Sequence, residues 1–124
     1  MVTRCLVIAV DGPAGSGKSS AARGVATELG LRYLDTGAMY RALTWWLLSQ
    51  GLDAGDPATV AGHTTRPAIE LSTDPARPRV TVDGTDVTAL IRTREVSNAV
   101  SAVASVPEVR AHLITRHRVT MRCY

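Results

Sequence analysis

Apolar residues change their spacing along this chain, and each change marks an element. The unbroken apolar run at 6–10 within "CLVIAV" suits a strand buried on both faces. Ala22, Val25, Ala26 and Leu29 then recur at helical spacing in "KSSAARGVATELG". Gly30 follows the last of them, where a left-handed glycine ends a helix. In "LRYLDTGAMYRALTWWLL" the pattern predicts a short strand at 32–34, a turn at Asp35, Thr36 and Gly37, and a helix over about 38–48, with Asp35 or Thr36 able to act as its N-cap. Trp45 and Trp46 on that apolar helix are expected to pack in a core or an interface rather than stack on a base. The stretch "AGDPATVAGHTTRP" has a looser pattern, and His63 within it reads as a surface residue rather than a catalyst or ligand. Two β-like runs at 68–72 and 79–82 flank a proline-containing turn, and "VDGT" is a further turn signal, so a small antiparallel sheet is expected. "REVSNAVSAVAS" at 94–105 is helical in pattern, and Pro107 suits the first turn of the next helix.

A length of 124 residues bounds this to one domain with a modest core, and 45% hydrophobic with 20% charged residues are globular values. No apolar run approaches the roughly 20 residues that span a bilayer, and "MVTR" leads straight into the first apolar run without a signal-peptide pattern. A soluble, cytoplasmic protein is expected. Cys5 and Cys123 lie at opposite ends without metal or redox spacing, and Cys5 reads as a free core thiol. The formal charge of +3 is compatible with an anionic partner, but its distribution says more. Of the 14 basic residues Lys18 is the only lysine, and a compact ammonium suits a phosphate-facing point charge better than a planar guanidinium does.

Around Lys18 the chain satisfies G-x-x-x-x-G-K-[ST] with Gly12, Gly17, Lys18 and Ser19, in the order strand, loop, helix that the motif requires. A glycine-rich turn feeding a helix N-terminus aims backbone N–H groups and the positive end of the helix dipole at a polyphosphate. Lys18 would reach the β and γ phosphates, and the Ser19 hydroxyl would join a Mg²⁺ shell. Asp35, at the end of a strand beside the loop, is placed to approach Mg²⁺ or an acceptor phosphate. A P-loop alone leaves a GTPase, an ATPase and a small-molecule kinase open.

The blocks "IAVDGPAGSGKSS", "YLDTGAMYRALT" and "VDGTDVTALIRTREVSNAVSAVASVPEVR" narrow that choice. Together, in this order and spacing over about residues 6–113, they make the chain resemble bacterial cytidylate kinase, the CMP/dCMP kinase of the P-loop nucleoside monophosphate kinase group. The resemblance implies an α/β fold of that type: a parallel sheet with helices, incomplete here, plus a small antiparallel β insert. It divides the single domain into a phosphate-binding core at 1–50, a monophosphate-binding insert at about 51–93 and a helical segment at 94–124. It implies that Gly12, Pro13, Ala14, Gly15, Ser16, Gly17, Lys18, Ser19 and Ser20 hold ATP, with Ser19 on Mg²⁺. It assigns catalysis to Lys18, Arg41 and Asp35, and contact with the bound monophosphate nucleotide to Thr36, Tyr40, Arg41, Ser101 and Arg110. ATP and CMP or dCMP are the implied substrates of a monomer that binds neither nucleic acid nor membrane.

The family continues for roughly another hundred residues, through a Gly-Arg-Asp segment, a further buried strand, an arginine-bearing lid and an adenine-binding loop, none of which falls within these 124 residues. The tail "ITRHRVTMRCY" departs from the family's usual helix, and its basic cluster is expected to be solvated or disordered rather than a nucleic-acid arm. With only about two strands for a parallel sheet, exposed apolar faces are expected. Two alternatives to a cytidylate kinase therefore stand: a truncated, non-catalytic nucleotide-binding fragment, and another P-loop small-molecule kinase such as a shikimate-type enzyme.

Overall fold

The structure, a computed structural model, describes Ile8 and residues 17–120, without the side chains of Lys18, Ser19 and residues 117–120. Its elements run α1 (Lys18–Leu29), α2 (Thr36–Ser49), α3 (Pro57–His63), β1 (Ile69–Leu71), β2 (Val80–Val82), β3 (Thr85–Asp86), a 3-10 turn at Leu90–Arg92, α4 (Arg94–Ala104) and α5 (Pro107–Thr120).

Helix α2 is the centre of the packing. Its buried residues Ala38, Met39, Ala42, Leu43, Thr44 and Leu47 recur every three to five positions, and this stripe meets α4, the sheet and the 3-10 turn. Val60, Ile69, Val80, Val82, Val87, Ile91, Val103, Val109 and Leu113 complete one continuous core around it. Trp45 and Trp46 flank that core, half-buried, as expected of aromatic residues on an apolar helix. Buried Thr44 donates its hydroxyl to the Tyr40 carbonyl (2.8 Å) and Thr64 to that of Val60 (2.7 Å), so neither polar group is left unpaired.

The insert forms the expected small antiparallel sheet, ordered β1-β2-β3. Ile69 pairs with Val82 and Leu71 with Val80, which puts these apolar cross-strand pairs on the face turned to α2. The β2–β3 turn places both Asp83 (φ 49°) and Gly84 (φ 82°) at positive φ, the demand of a type I′ hairpin that an Asp-Gly pair meets. Asp83 also accepts the Ala68 N–H at 2.9 Å, tying the turn back to the entry of β1.

Several expectations are corrected. The segment 32–34 is extended but is not assigned as a strand, and its Tyr33 N–H bonds the Thr73 carbonyl at 2.8 Å. Of the run at 6–10, expected as a strand, only Ile8 is described, and it is 45% exposed. The rest of that run and both cysteines lie outside the described residues. Helix α1 ends at Gly30 (φ 66°) as expected, with the Leu31 N–H bonded back to Ala26 at 2.8 Å. Its apolar stripe, however, buries only Ala26, while Val25 and Leu29 are exposed. The loose stretch after α2 is partly helical as α3. His63 there is half-buried, its Nδ1 lying 2.7 Å from the Thr59 carbonyl and its ring near Trp46.

The tail is corrected too. α5 continues to Thr120, and half-buried Arg116 donates from Nη2 to the Ile69 carbonyl (2.6 Å), pinning α5 to β1 rather than lying free in solvent. One turn earlier, partial burial and then the Arg116 charge hold His112 below its ordinary value of 6.5. The unfolded chain therefore takes up a proton as pH falls through 6.5 before the folded chain does, and stability present above that pH is lost below it. Thermal melts at pH 7.5 and 5.5 should show a smaller acid loss for His112→Asn than for the unaltered chain; equal losses would remove His112 from the account. No helix among the described residues is long and apolar enough to cross a membrane.

Candidate functional site

Two features converge near the start of α2. The first is the N-terminus of α1. Gly17, its N-cap, sits at φ 82° and ψ 11°, a left-handed conformation in which any other residue would be strained, and it offers no side-chain cap to the first turn. Such a helix end, with no side-chain cap from its N-cap residue, is a place where an anion or water can meet the first N–H groups. Gly12, Pro13, Ala14, Gly15 and Ser16 lie outside the described residues; for Lys18 and Ser19 the backbone is placed in the first helical turn and the side chains are not described.

The second is the N-terminus of α2. Asp35 accepts the Ala38 N–H through Oδ1 at 3.1 Å, so the capping role is realised and the second carboxylate oxygen is left for another partner. Thr36 is exposed on the first turn, and Tyr40 is half-buried against the core. Half-buried Arg41 is anchored from far away in the chain: its Nη1 donates both to the Ile91 carbonyl (3.0 Å) and to the Ser97 hydroxyl (2.9 Å).

Beside Asp35 a cavity of about 360 Å³ opens between α1 (Ser20, Arg23), the extended segment (Tyr33, Asp35), the first turn of α2 (Ala38), the insert (Leu71, Ser72, Pro78, Arg79, Val80, Thr88) and the 3-10 turn (Ile91, Arg92). Its size is that of a small-molecule site. Three guanidinium groups against one carboxylate make its wall cationic and suit an anion. Arg79 also lies 3.6 Å from Asp86, but both are well exposed and the pair is worth little. Asp86 is held below its usual range chiefly by the Thr88 hydroxyl (2.6 Å), then by the Thr88 N–H (2.9 Å), which fixes a wall residue of the cavity.

The structure therefore brings Ser20 and Asp35 into one cavity and puts Arg41 at the adjoining 3-10 turn. Thr36, Tyr40, Arg41, Ser101 and Arg110 do not line that cavity, and Ser101 and Arg110 are exposed on α4 and α5. Ser101 follows Ser97 by one helical turn, so it shares the α4 stripe that meets Arg41. Sequence reading missed Arg23, Arg79 and Arg92 as cavity residues and Ser97 as a partner of Arg41. Arg92 and Ser97 lie in the block "IRTREVSNAVS", but nothing local distinguishes them from solvated helix residues. No cluster of three or more metal-ligating His, Cys, Asp or Glu occurs among the described residues.

Comparison with known proteins agrees with the quoted motifs. A family model described as cytidylate kinase matches residues 8–123. A cytidylate kinase of Streptomyces avermitilis is 54% identical over 113 residues, covering 91% of this chain and 49% of the relative. One of Streptomyces griseus is 56% identical over 110 residues, covering 89% and 47%. A bifunctional pantoate ligase/cytidylate kinase of Synechococcus elongatus is 46% identical over 117 residues, covering 90% and 22%. The chain thus spans about half the length of the Streptomyces relatives it matches. With the model match running from Ile8 nearly to the last residue, across both the α1 terminus and the α2 site, the chain belongs to the cytidylate kinase family.

Proposed function

We propose that this chain carries the phosphate-donor loop and the acceptor-nucleotide side of a CMP/dCMP kinase, which moves the γ-phosphoryl of ATP to CMP or dCMP and yields ADP with CDP or dCDP. The observation that carries the reading on the structure is Arg41, whose guanidinium is held at one nitrogen beside a cationic cavity of nucleotide size. Gly12 to Ser20 hold the triphosphate; Thr36, Tyr40, Arg41, Ser101 and Arg110 hold the monophosphate nucleotide; Lys18, Arg41 and Asp35 act at the transferring group. The proposal includes the parallel sheet of a P-loop nucleoside monophosphate kinase, the division into core (1–50), insert (about 51–93) and helical segment (94–124), a monomeric state, a cytoplasmic location, and no nucleic-acid or membrane partner.

The acceptor oxygen already bears negative charge, so little general-base help is needed, and in-line positioning with charge stabilisation dominates the rate. Backbone amides at the start of α1 and the Lys18 ammonium gather the donor phosphates. Arg41 neutralises and orients the acceptor phosphate with charge-assisted bonds. The donor set for Mg²⁺ fits that ion: the Ser19 hydroxyl and the carboxylate oxygen that Asp35 does not use in capping are hard oxygen ligands. Mg²⁺, when bound, neutralises charge on the phosphates.

A coupled assay of ADP release tests the reading. ADP formed with CMP or dCMP well above that with UMP, shikimate or no acceptor is expected. Turnover of shikimate would indicate the other kinase class, and acceptor-independent phosphate release an ATPase. CMP binding with no ADP formation would instead indicate nucleotide binding without transfer.

A further inference from the structure

We infer that Ser97 is a positioning residue for Arg41, aiming its guanidinium at the acceptor phosphate; this rests on the reading that Arg41 holds that phosphate. An arginine head carries five N–H donors: one on Nε, two on Nη1 and two on Nη2. Both bonds that Arg41 makes within the fold leave from the same atom. Nη1 gives its two hydrogens to the Ile91 carbonyl at 3.0 Å and the Ser97 oxygen at 2.9 Å. Two acceptors on one planar nitrogen define the plane of the whole guanidinium, because all five hydrogens lie in it. The opposite edge, formed by Nε–H and Nη2–H, has no partner among the described residues. That edge is the parallel fork that matches two oxygens of a phosphate.

The two anchors differ in kind. Ile91 is 1% exposed and offers a main-chain carbonyl in the 3-10 turn, which no substitution of its side chain removes. Ser97 is exposed on α4 and offers only its hydroxyl, which lies 56 positions from Arg41 in the chain. The orientation of Arg41 on α2 therefore depends on α4 and the 3-10 turn staying docked on α2, an arrangement that ties the acceptor arginine to the segment that follows the insert. Without Ser97, Nη1 keeps one acceptor, the head can pivot about the Ile91 carbonyl, and each phosphate bond must first recover the lost orientation.

Because Ser97 is exposed within α4, alanine leaves no cavity and has the higher helix propensity, so Ser97→Ala should melt no lower than the unaltered chain. A role confined to fold stability would therefore leave no trace in this variant, whereas a positioning role appears in binding. Calorimetric titration of the full chain with CMP should show Ser97→Ala binding roughly fivefold more weakly, the cost of re-ordering one freed side chain on binding, while Ser97→Thr, which keeps the oxygen, stays within about twofold. In an Arg41→Ala background the same Ser97→Ala change should have no further effect on CMP affinity, since the group it orients is gone. Undiminished CMP affinity in Ser97→Ala, or an equal loss with and without Arg41, would overturn the inference while leaving the kinase reading intact. Absence of CMP binding by the unaltered, folded chain would instead overturn the kinase reading, and this inference with it.

Discussion

Lys18→Ala is expected to abolish phosphoryl transfer while CMP binding persists. Lys18 is the only lysine in a chain whose other basic residues are arginines, and its backbone stands in the first turn of α1, immediately after Gly17, which offers no side-chain cap. Removing a group aimed at developing charge typically costs about a hundred- to a thousandfold in rate. Loss of the donor contact should also weaken ATP binding, whereas the proposed acceptor contacts come from α2 and its neighbours, on the other side of the cavity from α1. ADP formation measured with saturating CMP, alongside a CMP titration of the same variant, separates the two effects. Near-normal turnover would show that Lys18 does not carry the assigned role.

Arg41→Ala is expected to weaken CMP binding on the order of a hundredfold, the loss of a two-pronged charge-assisted contact. Its effect on folding should be smaller, since the half-buried side chain supplies two hydrogen bonds and no part of the continuous core. Arg41→Lys should recover little of the affinity. A lysine restores the charge but not the planar fork, and it cannot hold the Ile91 carbonyl and the Ser97 hydroxyl in one plane while facing a phosphate. Binding of CMP at full strength in Arg41→Lys would mean that charge alone is needed there and that the anchored geometry has no bearing on the acceptor.

The elements whose ends are set by neighbouring residues were legible in the sequence. Asp35 caps α2 by accepting the Ala38 N–H, Gly30 closes α1 with a left-handed turn, Pro107 starts α5, and Asp83-Gly84 closes a hairpin, each for a reason contained in a few adjacent positions. The alternation of the insert likewise foretold a small antiparallel sheet. Contacts between distant segments were not legible, because local periodicity says which face is apolar and not what covers it. Val25 and Leu29 carry the helical pattern of a buried stripe and yet face solvent, since α1 contributes no residue to the main core. Tyr33 bonds to Thr73, 40 positions on, and Arg116 reaches Ile69 from a tail that read as solvated. At the site, the motif spacing picked out Lys18, Asp35 and Arg41 as candidates, but Ser97 and the cavity arginines Arg23, Arg79 and Arg92 emerge only when helix, insert and 3-10 turn are brought together.

The most direct measurement is calorimetric titration of the 124-residue chain, shown to be folded by circular dichroism, with CMP and separately with ATP and Mg²⁺. Saturable binding of each nucleotide at one site per chain is expected, with the CMP isotherm weakened by Arg41→Ala and the ATP isotherm by Lys18→Ala. A folded chain that takes up neither nucleotide would contradict the kinase reading.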